Sequence, residues 1–284
     1  MRILFTGADG QLGQQFSKIK RIEGIDYFFT SKNDIDITDL SKVSSYILDN
    51  RISHIINCAA YTNVDKAEIN NDIAFNVNFN GVNNLIKTVE INKISLIHFS
   101  TDYVYSGINS KPIKENEFIN PINFYGYSKR EGEKLIQKSN SNSIIIRTSW
   151  LYSKFGNNFV KKIIQKSMNR KKIKVVNDQF GCPTNAEDLV NTTMKIIYSE
   201  NFFEKRFKEY NFSNEGHTSW YEFAKKIIEF KKINCEVVPI TSSELKHSAK
   251  RPKYLNTDKS RIKHELNLDI LNWQESLRNF CKSF

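Results

Sequence analysis

Residues 2–6 form a short apolar run, and Gly7, Gly10 and Gly13 follow it at three-residue spacing. No other feature constrains the fold as strongly. A strand that runs into a glycine-rich turn and then opens a helix leaves backbone N–H groups free, and lets a phosphate approach them closely. The last glycine allows the helix to pack on the strand it has just left. The spacing is G-x-x-G-x-x-G rather than the simplest fingerprint, G-x-G-x-x-G. Its place directly after the first strand carries the reading of a dinucleotide site.

The segments that follow keep the same rhythm. Apolar runs at 26–30, 54–57, 96–100 and 143–148 read as strands. Helical patterns cover 11–20, 40–50, 73–92 and 127–139. Strands alternating with helices at this spacing predict an α/β fold, a Rossmann-type doubly wound parallel sheet covered on both faces. After Thr148 the rhythm becomes irregular, with helices expected at 159–169, 186–199 and 273–280. Ser219-x-x-Glu222 reads as a capping box ahead of Phe223, Ile227 and Phe230. No linker rich in Pro, Gly or Ser appears. The expected division is residues 1–150 for the dinucleotide and 151–284 mainly as a smaller α/β lobe for the substrate, with some segments returning to the first domain.

Composition excludes several classes. Hydrophobic residues are 39% and aromatics 12% of 284, which excludes a mainly disordered chain. No apolar run approaches the ~18 residues of a spanning helix, and the N-terminal apolar stretch is too short for a signal-peptide core. Cys58, Cys182, Cys235 and Cys281 stand far apart without a C-x-x-C pair, so neither a disulfide framework nor a zinc site is expected and a cytoplasmic location fits. The formal net charge of +11 fits nucleic acid, an anionic membrane surface, phosphorylated small ligands or a plain lysine-rich surface. No nucleic-acid module is visible.

The tip of the second strand bears on cofactor choice. A carboxylate there would bind the ribose 2′-hydroxyl of NAD. The chain instead has Ser31 and Lys32, a hydroxyl and a cation that suit a 2′-phosphate, with Asp36 and Ile37 placed to flank an adenine. NADPH is therefore expected, with NADH the alternative. Tyr125 and Lys129 share a helix face at four-residue spacing. An ammonium beside a phenol favours the phenolate and lowers its pKa, which readies the tyrosine for acid–base work. The same spacing recurs at Tyr221 and Lys225, but within a helix patterned for packing. The first pair has company: Thr101 ends the strand before it, and the three side chains can converge on one carbonyl.

With these residues the chain resembles the dTDP-4-dehydrorhamnose reductases of the extended short-chain dehydrogenase/reductase superfamily, nearly end to end. The likeness runs through Gly7 to Gly13, the stretch Ala59-Ala60-Tyr61-Thr62-Asn63-Val64-Asp65, Asn76-Val77-Asn78, Ser100-Thr101-Asp102-Tyr103, Tyr125 to Lys129, Arg147-Thr148-Ser149-Trp150, Gly156-Asn157-Asn158-Phe159 and Arg251-Pro252. The resemblance implies NADPH-dependent reduction of the C4 ketone of dTDP-4-dehydrorhamnose to dTDP-L-rhamnose, for rhamnose-containing polysaccharide. It implies Tyr125 as proton donor, Thr101 as hydrogen-bond partner of the same oxygen, and Lys129 as support for both tyrosine and cofactor. Cofactor contacts implied are Asp9, Gln11 and Leu12 with the three glycines, then Ala59, Ala60, Tyr61 and Asn78. Substrate contacts implied are Thr62, Val64, Asp65, Asp102, Trp150, Asn158 and Arg251, although a tryptophan after a strand also reads as packing.

Two departures matter. Some relatives carry a glutamate of a magnesium site two residues after the third glycine; Gln15 stands there, and no metal is expected. Dehydratases of the superfamily use Thr-Asp-Glu after the fourth strand, whereas Tyr103 takes the glutamate's place here. The expected partner is a nucleotide sugar, with no nucleic acid or membrane, and the chain a monomer or homodimer. The alternatives are a non-catalytic NADP-binding regulatory relative, direct nucleic-acid binding through the basic charge, and a reductase of another nucleotide 4-keto sugar.

Overall fold

Strand and helix alternate through the first half in the computed structural model, which describes residues 1–199, 207–245 and 248–284. This half supplies β1 (Arg2–Thr6), β2 (Asp26–Thr30), β3 (His54–Asn57), β4 (Ser95–Thr101) and β5 (Asn142–Thr148). Between them run α1 (Gln11–Phe16), α2 (Leu40–Asp49), α3 (Val64–Ala67), α4 (Asn71–Phe75), α5 (Gly81–Asn92) and α6 (Phe124–Lys138). Beyond come β6 (Leu151–Tyr152), α7 (Phe159–Met168), β7 (Lys172–Val176), β8 (Phe180–Gly181), β9 (Thr184–Asn185), α8 (Ala186–Tyr198) and β10 (Phe207–Phe212). The chain ends with β11 (Thr218–Ser219), α9 (Trp220–Phe230), β12 (Glu236–Ile240), α10 (Ser260–Leu266) and α11 (Trp273–Ser283).

The main sheet has the order β10-β5-β4-β3-β1-β2, and every pair in it is parallel. Its outer strand β10 comes from the second half of the chain. Both faces are covered, as a parallel sheet requires. Leu12 and Phe16 of α1, Leu189 and Ile196 of α8, and Ile262 of α10 pack on one face. Val43 of α2, Leu85 and Val89 of α5, and Ile136 of α6 pack on the other. The second half builds its own core, where Ile163 of α7, Ile173 of β7, Phe223 and Ile227 of α9, and Leu277 of α11 meet. β1 has β2 on one side and β3 on the other, so the order reverses there. The crevice at the carboxyl ends of the strands beside that reversal is the usual ligand position.

Three element boundaries differ from the sequence expectation. The first helix stops at Phe16, where the Lys18 and Ile19 N–H groups turn to carbonyls three residues back. The helix expected over 73–92 begins at Asn71 and is broken by a π-type turn at Asn76–Asn80. There the Asn78 side chain turns inward, and its carbonyl lies close under Gly132 of α6. The helix that carries Tyr125 and Lys129 begins at Phe124 rather than 127. Asn123 caps it by accepting from the Gly126 N–H (2.8 Å), while its own amide donates to the Lys250 carbonyl (2.9 Å). Tyr125 thus stands in the first turn of a helix pinned to the second half of the chain.

A buried ion pair fixes α6 against the sheet. Arg147 of β5 donates from Nε and Nη2 to the two carboxylate oxygens of Glu133 (2.8 and 2.9 Å). It also donates to Glu209 of β10, the Tyr105 hydroxyl and the Glu115 carbonyl. Neither Arg147 nor Glu133 has any exposed side-chain surface. Burial alone would raise the Glu133 carboxyl, but the Arg147 guanidinium outweighs it and holds the pKa below its ordinary value. Removing one member strands the other charge, at a cost of about 3–5 kcal/mol. Glu133→Gln is therefore expected to lower the urea-unfolding free energy by about that much near pH 7. The contribution is present above the unfolded carboxylate pKa and fades as pH falls through the lower folded one. A loss below about 1 kcal/mol, typical of a surface pair, would show that the network does not hold the helix.

Candidate active site

The glycine turn closes one end of the crevice. Gly7 has φ +64°, and a Cβ there would meet the Ala59 backbone at 2.7 Å. A Cβ on Gly13 would fall on the Gly7 carbonyl and Ala8. Both positions exclude larger residues, so turn, helix and the loop after β3 share one tight space. The Gly10 N-cap of α1 makes no side-chain cap. Gly10, Gln11 and Leu12 line the cavity. A narrow glycine cradle with an uncapped helix start beside it fits a dinucleotide diphosphate. Gln11 spans to the other half, donating to the Leu151 carbonyl at 2.9 Å.

Beyond the cradle lies a cavity of about 400 Å³. The expected Thr101, Tyr125 and Lys129 all line it, as do Ala60, Thr62, Val64, Asp102 and Trp150. Tyr125 is held where Thr101 can hydrogen-bond it, an effect that pulls the phenol pKa down. Burial prevails and pushes it up to about 12. This is opposite in direction to the lowering expected from Lys129, for a geometric reason. The Lys129 Nζ donates to the Phe99 carbonyl (2.7 Å) and meets His98 Nε2 (3.1 Å). Burial lowers Lys129 to about 8, against the raising effects of Glu133 and Cys58.

Asp102 is the third perturbed group. It is buried, and its Oδ2 has no hydrogen-bond partner among the described residues. Burial pushes its pKa up to about 8, despite hydrogen bonds from Thr101 and the backbone that favour the carboxylate. At neutral pH it is a protonated carboxyl facing a cavity, able to donate a hydrogen bond.

The other expected residues fall into distinct places. Asn78 is buried. It brackets the loop after β3 by accepting from the Tyr61 N–H (2.9 Å) and donating to the Tyr61 carbonyl (3.0 Å) and to Ser128 on α6 (2.9 Å). Ala59 donates its N–H to Asn57. Ser31 donates to Asp34 from both N–H and hydroxyl, and Lys32 pairs with Asp36 at 3.6 Å in the loop after β2. Ile37 is buried in the core, over Gly81. Asp9 is exposed in the turn, its carbonyl accepting from Gln14. Asp65 and Arg251 form a two-point ion pair (2.6 and 3.1 Å) between the halves. Asn158 caps α7, and its amide donates to the Ser153 and Phe155 carbonyls, so its neighbour Asn157 lines the cavity instead.

Trp150 adopts φ +42° and stacks on Trp220, with centroids 3.4 Å apart and planes at 8°. Sequence reasoning missed Trp220; its only signal was Ser219, which caps α9 by accepting from the Glu222 N–H. The second Tyr/Lys pair proves structural, as expected. Tyr221 packs on the core of the second half, and Lys225 lies over its ring while pairing with Glu222 at the surface.

Asp102 also marks the site in stability. Its folded pKa lies above the unfolded 3.8, so the native state binds more protons between about pH 4 and 8, and stability falls as pH rises through that window. Asp102→Asn removes the titration. Thermal melts are expected to show its Tm, relative to the parent, climbing from about pH 5 to about pH 8. A difference that stays flat with pH would place the carboxylate in the ionised state.

A profile of the RmlD substrate binding domain matches residues 1–284. The chain is 37% identical to a dTDP-4-dehydrorhamnose reductase of Aggregatibacter actinomycetemcomitans, over 98% of this chain and 97% of the relative. It is similar to the crystal structure of a dTDP-4-dehydrorhamnose reductase from Bacillus anthracis in complex with NADP. There the TM-score is 0.95 and the identity 37%, covering 100% of this chain and 99% of the other. A reductase of the same name from Clostridium acetobutylicum gives a TM-score of 0.93 at 36% identity, over 100% and 99%.

Proposed function

Because the chain belongs to the RmlD substrate binding domain family, we propose that it is an NADPH-dependent reductase that converts dTDP-4-dehydrorhamnose to dTDP-L-rhamnose. The observation that carries this reading is the meeting of Thr101, Tyr125 and Lys129 in one cavity between the glycine cradle and the Trp150–Trp220 stack. The NADP bound by the similar reductase of Bacillus anthracis supports the cofactor. The division of labour follows: residues 1–150 hold the dinucleotide, and residues 151–284 mainly the sugar nucleotide. Four cysteines without disulfides suit a cytoplasmic enzyme, working as a monomer or homodimer.

When bound, a reduced nicotinamide would supply the hydride for the C4 carbonyl carbon. Developing negative charge on the carbonyl oxygen is met by the residues of the chain. Tyr125 donates its phenolic proton to that oxygen, and the Thr101 hydroxyl donates a hydrogen bond to it. A phenol held at about 12 stays protonated at neutral pH, the correct form for a donor. Lys129, once turned from the Phe99 carbonyl, would hold the cofactor ribose and steady the tyrosinate that proton transfer leaves. Asp102 donates from its protonated carboxyl toward the sugar. Asp65 and Arg251, paired with each other, would lie toward the sugar or nucleotide. Tyr103, in place of a glutamate, offers no base for eliminating water, so the ketone is reduced and not dehydrated.

The test is oxidation of NADPH with the dTDP-4-keto sugar, followed by nicotinamide absorbance, with the product's C4 configuration read by NMR. Tyr125→Phe is expected to bind NADPH and lose about 10²–10⁴-fold in kcat. Folded protein that oxidises neither NADPH nor NADH with this ketone would overturn the proposal. Full activity in Tyr125→Phe would remove the assigned proton donor.

A further inference from the structure

The contact between Lys129 and His98 holds more than a position. His98 lies on β4 with Leu96 and Ser100 on the face that α5 and α6 cover, since alternate residues share a face. It has no exposed surface. Its two ring nitrogens meet two different partners, and the donor pattern behind it fixes its tautomer. The Ala59 N–H donates to Asn57 Oδ1 (3.1 Å), and the Thr6 hydroxyl donates to the same oxygen (2.7 Å). A backbone N–H can only donate, so that atom is the amide oxygen and the other is Nδ2. Asn57 Nδ2, a donor, sits 2.9 Å from His98 Nδ1. Nδ1 must therefore accept, and in a neutral ring Nε2 must carry the hydrogen. That hydrogen points at Lys129 Nζ, 3.1 Å away. An ammonium has no lone pair to receive it, whereas an amine does.

We infer that His98 is a positioning residue for the reaction: its Nε2–H donates to the Nζ lone pair of Lys129 and so favours the amine over the ammonium while Nζ rests against β4. The remaining Nζ contacts agree, because an amine still donates to the Phe99 carbonyl. The other titratable groups that bear on Nζ are Glu133 from α6 itself and Cys58 from the loop after β3. Both favour the ammonium, while burial opposes it. Glu133 is already committed to Arg147. His98 itself stays neutral, because burial opposes its protonation. The chain His98–Asn57–Thr6 ends inside the sheet at buried groups, so it conducts no proton to solvent. Its consequence rests on the reductase reading. Lys129 holds a proton less firmly while it rests on His98 than when it turns to ligand oxygens in the cavity.

The tautomer is read on the unmutated protein by NMR with ¹⁵N-histidine. A protonated Nε2 and unprotonated Nδ1 at about pH 9, where Lys129 is an amine, is the expected result. Lys129, followed with ¹³Cε-lysine, is expected to titrate at about 8 or below. His98→Asn retains an acceptor for Asn57 but no donor that reaches Nζ. It is expected to raise Lys129's proton affinity about tenfold, a shift of about one pH unit. His98→Gln, whose amide N–H replaces Nε2–H, should restore the lower value. A protonated Nδ1, or an identical Lys129 titration in His98→Asn, overturns the inference. NADPH binding measured on the same samples separates the two readings. If the unmutated protein does not bind it, the reductase reading fails while the titrations still decide the role of His98.

Discussion

The Arg147–Glu133 pair is the constraint on which the rest of the molecule depends. It joins the strand that ends at the cavity to the helix that carries Tyr125 and Lys129, and through Glu209 it draws in β10 from the second half of the chain. Glu133 lies one helical turn beyond Lys129. A shift of α6 along its axis would strand two buried charges, and with it would move both Tyr125 and Lys129. Such a pair adds little net stability compared with an apolar substitute, but breaking it is expensive. Its effect is to make one placement of α6 much better than its neighbours. The Asn123 cap and the Asn78 bracket then fix the near end of the same helix.

With the helix fixed, burial decides the ionisation of what faces the cavity. Asp102 is pushed toward its acid form, Tyr125 toward the phenol and Lys129 toward the amine. All three shifts favour neutral forms, as desolvation requires. At neutral pH the carboxyl and the phenol are therefore uncharged donors, and Lys129 holds its proton less firmly than a free lysine does. The lowering of the tyrosine pKa expected from Tyr-x-x-x-Lys spacing assumed that four residues of separation places the ammonium on the phenol. Spacing sets the helix face but not the rotamer, and the Phe99 carbonyl and His98 receive Nζ instead.

Much of the fold was legible because its first half is locally consistent. The strands at 2–6, 26–30 and 54–57 and the glycine turn coincide with sequence signals, since buried parallel strands are continuous apolar runs. β10 was not legible: Phe-Lys-Glu-Tyr-Asn-Phe looks polar, yet Glu209 answers Arg147 and Asn211 is buried with its amide bonded to the Ile113 carbonyl. The pairing of β7 with β12 joins residues far apart in sequence, and no local pattern signals it. In the site, Thr101, Tyr125 and Lys129 were found because their chemistry is unusual in combination. Asn158 and Asn157 were interchangeable to the eye, and only the N-cap of α7 separates them. His98 gave no signal at all, because its meaning lies in which nitrogen faces which partner.

The net charge of +11 can now be placed against the site. The cavity lining contains one carboxyl, Asp102, and one amine, Lys129, among its acidic and basic side chains. Burial leaves the carboxyl uncharged at neutral pH. A ligand bearing a diphosphate therefore meets no fixed negative charge inside, while the excess of lysine and arginine over the rest of the molecule draws it in. The surface charge alone was compatible with nucleic acid, but the cavity is not a backbone-tracking groove. It is a crevice with a glycine cradle at one end and stacked tryptophans at the other. The long-range field is indifferent to which anion approaches. Selection falls to the short-range donors that burial has kept neutral, and these suit a carbonyl oxygen that becomes negative only as the reaction proceeds.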